Sequence, residues 1–98
     1  MTVMFDKLDS VMLHYEEIQR ELSSPDIASD QKRFRSLMKE QSDLAPLVEA
    51  YSEYRECRQA ADESLQMLEE ETDEEMRDLA KEELAESRKR IGELEDRI

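Results

Sequence analysis

The stretch MFDKLDSVMLHYEEIQREL, residues 4–22, carries the pattern that decides the fold. Its apolar residues recur at alternating spacings of four and three, at Met4, Leu8, Val11, Tyr15, Ile18 and Leu22. This spacing places them on one stripe of an α-helix with about 3.6 residues per turn, while Lys7, Glu17 and Arg20 fall on other faces. Because a disordered segment has no reason to keep such a pattern, we predict a first amphipathic helix over residues 2–22.

A loop is predicted over residues 23–29, and a second helix over residues 30–68. Pro25 has no N–H group and disfavours a helical conformation at the residue before it, so the first helix must end there. Either Ser29 or Asp30 can cap the second helix by accepting hydrogen bonds from its free N–H groups. The second stripe starts with Phe34, Leu37, Met38 and Leu44 and continues with Leu47, Tyr51, Tyr54, Ala61, Leu65 and Leu68.

Pro46 lies inside this second stripe. In a helix interior a proline removes one hydrogen bond and costs about 3 kcal/mol, whereas at the first turn of a helix it costs little. The sequence therefore allows a kinked helix, or a new helix capped by Ser42 or Asp43. Since the apolar stripe resumes in phase beyond Pro46, we predict one long helix that is kinked or briefly broken there.

The third predicted helix covers residues 73–98. Thr72 and Glu75 have the spacing of a capping box, and acidic residues at a helix start interact favourably with the helix dipole. Ile98 is still in phase with the stripe, so we expect the chain to be an N-terminal fragment of a longer protein. The predicted fold class is all-α, a single domain over residues 1–98 that forms an antiparallel helical bundle or coiled-coil-like hairpin of three main helices.

The composition excludes several classes of protein. The 98 residues include 27 acidic and 14 basic side chains, one Gly, two Pro and one Cys, and the formal net charge is −13. So few turn-forming residues argue against an all-β fold. The negative charge argues against direct nucleic-acid binding by this chain alone, since phosphates would be repelled. A single Cys, with no signal peptide and no apolar run of membrane-spanning length, predicts a cytoplasmic protein without a membrane partner.

The sequence contains no recognisable constellation for catalysis. His14 is the only histidine, and Cys57 lacks the general base and oxyanion site that a nucleophile needs. The acidic run over residues 69–75 lacks the Gly turn of a calcium loop. We therefore expect no catalytic, cofactor-binding or metal-binding residues, no cofactor, and no enzyme activity from this chain.

One group of side chains reverses the local charge. We define the basic cluster as Lys32, Arg33, Arg35 and Lys39, at the start of the second predicted helix. The cluster is either ordinary helix-surface charge or a docking site for an acidic protein or an RNA backbone. It is the candidate docking site of this chain.

Several segments, in order and at matching spacing, resemble the N-terminal region of bacterial class-I peptide chain release factors. They lie at residues 4–8, 15–17, 22–27, 29–35, 46–51 and 75–84. The opening close to Met1 and the Lys-Arg-Phe-Arg run of residues 32–35 fit the type-one members better than the type-two members. The resemblance covers nearly the whole chain.

The resemblance implies a role in translation termination. Type-one factors recognise UAA and UAG stop codons on the ribosome and trigger hydrolysis of peptidyl-tRNA. They use a codon-reading tripeptide and a Gly-Gly-Gln loop whose Gln is methylated, and neither is present in this chain. The matching region is the helical first domain, which lies near the stalk base of the large subunit around ribosomal protein L11. The implied partners are the ribosome and the remaining domains of the same protein.

An alternative hypothesis treats the chain as a free-standing coiled-coil adaptor or oligomerisation module. It would self-associate through stripe residues left exposed, such as Leu84, Ile91 and Leu94. Sedimentation at micromolar concentration separates the two hypotheses, because a stable dimer of the full-length protein would favour the adaptor.

Overall fold

The computed structural model describes residues 3–98, with side chains from residue 5 onward. It contains α1 (Val3–Leu22), a 3₁₀ helix (Pro25–Ser29), α2 (Gln31–Glu70) and α3 (Glu74–Arg97), and no strand occurs in this part of the chain. The prediction of an all-α fold with three main helices is confirmed. The helix ends agree with the predicted ones within two residues, except that Thr2 and the side chain of Met4 lie outside the described residues.

The predicted loop between the first two helices contains a short 3₁₀ helix. Ser24 begins it, because the Ser24 side chain accepts a hydrogen bond from the Asp26 N–H at 3.4 Å. Ser29 closes it by donating from its hydroxyl to the Asp26 carbonyl at 2.7 Å. Of the two predicted caps of α2, the structure uses Asp30, whose carboxylate accepts from the Arg33 N–H at 3.1 Å.

The second helix runs through Pro46 without interruption for 40 residues. One long helix is therefore confirmed, and a separate helix starting at Ser42 or Asp43 is excluded. Pro46 and Ser42 are both exposed, so water can bind the Ser42 carbonyl that the missing N–H leaves unpaired. A kink of α2 at this position stays a prediction.

The chain divides into two compact units, Met1–Glu49 and Ala50–Ile98. The first unit pairs α1 with the first part of α2 in an antiparallel arrangement, because Glu21 bonds to Arg33 while His14 bonds to Glu40. The stripes predicted from the sequence supply Leu8, Ile18 and Leu37 to its buried side chains, and Val48, which the predicted stripe did not include, is also buried.

The second unit pairs the rest of α2 with α3, also antiparallel. Arg90 bonds to Glu53, and at the other end of the pair Arg77 donates to the Leu68 carbonyl. Leu84 and Leu94 are buried within a single copy of the chain, with Leu94 fully enclosed. The adaptor hypothesis requires these two leucines at the surface, so the structure removes its main support.

The connection between α2 and α3 differs from the predicted capping box. Asp73, not Thr72, precedes the first turn of α3, and the Asp73 side chain makes no capping hydrogen bond. Glu71 instead accepts from the N–H groups of Thr72 and Asp73, both at 3.0 Å. Arg77 donates to the carbonyls of Leu68 and Glu71, which satisfies acceptors left free at the end of α2.

Candidate docking surface

The structure separates the basic cluster into two parts with different surroundings. Lys32, Arg35 and Lys39 are spaced three and four residues apart on α2, so they share one face of the helix, and all three are exposed. Arg33 lies about 100° away around the helix, on the side that faces α1. The sequence prediction treated the four side chains as one site, but only three of them form a common surface.

Arg33 is held by Glu21 near the end of α1. The Arg33 guanidinium donates Nε to one carboxylate oxygen of Glu21 at 3.2 Å, and its Nη2 lies 2.9 and 3.2 Å from the two oxygens. Such a forked pairing fixes geometry as well as charge. Arg33 therefore joins α1 to α2, and its charge is already matched.

Lys32, Arg35 and Lys39 form no ion pair with any residue between 5 and 98. Their side chains are exposed on a face of α2 that does not include Arg33. We call these three residues the cationic face. An array of unpaired cations of this kind attracts anionic surfaces over about one Debye length, roughly 8 Å at physiological salt.

Two apolar side chains flank the cationic face. Phe34 and Met38 were predicted as part of the buried stripe, yet 38% and 45% of their surfaces are exposed. In this region Leu37 and Val48 are buried and Leu44 is half-buried. The prediction was wrong for both residues. Met38 follows Leu37 directly and lies about 100° farther round the helix, and Phe34 lies about 60° from Leu37, on the side away from Arg33.

His14 links the two helices of the first unit. Its Nε2 atom is hydrogen-bonded to the Glu40 carboxylate, and its Nδ1 lies 4.0 Å from Glu17. The hydrogen bond to Glu40 raises the pKa of His14 above its ordinary value near 6.5, and the Glu17 charge adds to the effect. This lone histidine therefore has a structural ion-pair partner.

The remaining chemically reactive groups have ordinary structural surroundings. Cys57 is half-buried, and burial followed by the charge of Glu53 raises the pKa of its thiol, which disfavours the nucleophilic thiolate. Glu53 is paired with Arg90 at 2.5 and 2.8 Å, and that hydrogen bonding lowers the pKa of the Glu53 carboxyl. Between residues 5 and 98 no group of three or more potential metal ligands comes together.

The tyrosines on α2 are packing residues. Tyr51 and Tyr54 are each 4% exposed, and their rings stack on one another with centroids 6.2 Å apart. Arg58 lies over the Tyr54 ring and donates to its hydroxyl at 3.1 Å. Both rings are thus unavailable for stacking on nucleotide bases.

Residues 11–98 match the family model described as the PCRF domain. This match includes most of α1 and all of α2 and α3. The chain belongs to the PCRF domain family. The matched region of this PCRF domain contains the cationic face and all three helices apart from the first part of α1.

This PCRF domain is similar over nearly its whole length to three bacterial proteins named peptide chain release factor 1. It is 57% identical to that of Agathobacter rectalis, 48% to that of Lachnoclostridium phytofermentans and 46% to that of Listeria welshimeri. Each alignment covers 97% of this chain and 26% of the relative, so the chain spans about a quarter of the relatives' length. The resemblance to class-I release factors is therefore confirmed.

No solved structure matches this PCRF domain. Within the described part of the chain, every helix is too polar to cross a membrane.

Proposed function

We propose that this PCRF domain is the helical first domain of a type-one peptide chain release factor, which acts in the cytoplasm at UAA and UAG stop codons. The observation that carries the proposal is the similarity of 97% of the chain to relatives named peptide chain release factor 1. The domain contributes ribosome docking, and other parts of such a factor carry out peptidyl-tRNA hydrolysis. In agreement with this division, the chain has a single Gly and so contains no Gly-Gly-Gln loop.

The cationic face is the part of the domain that contacts the ribosome. Lys32, Arg35 and Lys39 are the side chains best placed for this role, because they are exposed, share one helix face and form no ion pair within residues 5–98. Phosphate groups of ribosomal RNA or acidic side chains of a ribosomal protein would match their charge. We place the contact at the stalk base of the large subunit, near ribosomal protein L11.

The experiment is a charge reversal of the cationic face in a full-length release factor that carries this domain. Replacing Lys32, Arg35 and Lys39 together by Glu should weaken binding to purified bacterial ribosomes by about tenfold or more at low salt. The difference from wild type should shrink as salt is raised, since counterions screen the contacts that were lost. Binding is measured by stopped-flow fluorescence with a labelled factor over a series of potassium chloride concentrations.

A matched control makes the same change elsewhere on the domain. Lys81, Arg88 and Lys89 of α3 are also exposed and unpaired within the described chain, and replacing them by Glu alters the net charge by the same amount. This control should bind within about twofold of wild type. If both triple variants lose the same affinity, only the total charge of the domain matters and the assignment of the cationic face is wrong.

A further inference from the structure

Three exposed apolar side chains lie on one side of the second unit, near the connection between α2 and α3. Met67 and Met76 are each 39% exposed, and Leu79 is 49% exposed. Methionine is enriched at adaptable protein-binding surfaces, because its flexible, polarizable side chain fits partners of different shape. This group is separate from the cationic face, which lies in the first unit.

A groove between α2 and α3 has Met67 in its lining. The pairings Glu53–Arg90 and Leu68–Arg77 fix the antiparallel register, so residues near 60 on α2 lie level with residues near 84 on α3. The small side chains of Ala60, Ser64 and Ser87 line the groove together with Met67. Its remaining lining is acidic, from Glu63, Glu82, Glu83 and Glu86.

Met76 and Leu79 lie on the same face of α3 as two of the groove carboxylates. Met76, Leu79, Glu83 and Glu86 follow one another at intervals of three and four residues on α3, and therefore share a face. The groove thus combines apolar side chains near the helix connection with four carboxylates farther along.

We propose that this groove binds a cationic amphipathic segment of a partner protein, with its apolar residues on Met67, Met76 and Leu79 and its Lys or Arg residues on the carboxylates. Helices of this kind bind apolar grooves by anchors spaced three and four residues apart, and opposite charge selects their orientation. The negative charge of the second unit argues against other occupants of the groove. The unit has 17 acidic and 8 basic residues, so a nucleic acid or a second copy of this chain would be repelled.

The inference is independent of ribosome docking by the cationic face. The two surfaces lie in different units and have opposite charge, so either one can bind its partner while the other fails. Mutations in the groove leave Lys32, Arg35 and Lys39 unchanged.

The test uses the 98-residue chain and a fluorescent synthetic peptide of about 18 residues, or five helical turns, with Leu on one face and Lys on the other. Fluorescence anisotropy gives the dissociation constant. Replacing Glu83 and Glu86 by Lys should weaken binding by about tenfold or more, since opposite charges become like charges. Replacing Met67 and Leu79 by Ser should weaken it by about fivefold or more without any change in charge.

A control variant separates the groove from the overall negative charge. Asp62 and Glu69 are exposed on the opposite side of α2, and replacing both by Lys changes the net charge as much as the Glu83 and Glu86 variant does. This control should bind within about twofold of wild type. Circular dichroism confirms that each variant remains helical.

Two results would overturn the inference. One is an equal loss of peptide binding in the control and in the groove variants, which would mean that the peptide binds by total charge alone. The other is tight binding of a single-stranded RNA of similar length that the Met67 and Leu79 variant abolishes, which would make the groove a nucleic-acid site.

Discussion

Neighbouring cations at the start of α2 have different roles because each side chain leaves the helix in a different direction. Arg33 makes a forked ion pair with Glu21, whereas Lys32 and Arg35 extend into solvent. Counting basic residues in the sequence does not distinguish Arg33 from Lys32 and Arg35. Only the helical angle relative to α1 shows which charges are still available to a partner.

His14 gives the first unit a pH dependence. Its pKa in the folded chain is raised by Glu40, so its pairing stabilises the fold fully below the ordinary pKa near 6.5, and this stabilisation is lost as the pH rises through the folded pKa. Replacing His14 by Gln should therefore destabilise the chain more at about pH 5.5 than at about pH 8.5. Urea unfolding followed by circular dichroism measures the difference at each pH.

The partner of His14 offers an internal check. Replacing Glu40 by Gln removes the carboxylate that raises the pKa, so the pH-dependent part of the stabilisation should largely disappear. A stability difference between wild type and the His14 variant that stays constant over this pH range would contradict the assigned role.

At the scale of helices, Pro46 is the least favourable residue in α2. The helix continues through it because the flanking turns are packed in both units, with Val48 and Ala50 buried just beyond the proline. Replacing Pro46 by Ala restores an N–H donor for the Ser42 carbonyl and removes the clash of the ring. The chain should become more stable by about 1–3 kcal/mol, measured by urea unfolding.

An exposed alanine substitution elsewhere in α2 serves as the reference for this experiment. Glu56 is exposed in the same helix, and its replacement by Ala should change the stability by less than about 0.5 kcal/mol. Destabilisation by the Pro46 variant would show that a bend at the proline is needed for packing on either side of it.

The stripe pattern predicted most of the helices and much of the buried core, since Leu8, Ile18, Leu37 and Leu84 recur at helical spacing. It failed where local hydrogen bonding decides the structure. Thr72 and Glu75 have the spacing of a capping box, but the Glu71 carboxylate and Arg77 satisfy the backbone at this connection instead. Which nearby side chain bonds to the free backbone groups depends on the path of the chain, and residue spacing alone does not give that path.

The candidate site could be predicted only in part. The local excess of Lys and Arg identified the region, but the choice among its members required the position of α1. The acidic groove was missed, because Glu63 and Glu86 come together only when the antiparallel register of α2 and α3 is known. Contacts between residues far apart in the chain cannot be read from the sequence, whereas helical periodicity within one helix can.

At the scale of the whole molecule, the formal charge of −13 determines how salt affects the chain. The surplus is greatest from residue 50 onward, where 17 acidic residues face 8 basic ones, so repulsion among carboxylates opposes folding. Raising sodium chloride from about 0.05 M to about 0.5 M shortens the Debye length from roughly 14 Å to roughly 4 Å. We therefore expect the melting temperature of the 98-residue chain to rise by a few degrees, measured by circular dichroism.

The same salt should weaken docking by the cationic face, so folding and binding respond in opposite directions. This contrast distinguishes loss of contacts from loss of structure, because a factor that leaves the ribosome at high salt would still contain a more stable domain. Sodium sulfate stabilises proteins through a different effect, so potassium chloride at equal ionic strength is the proper second salt. A melting temperature that falls as sodium chloride is added would mean that attractive ion pairs such as Glu53–Arg90 outweigh the repulsion.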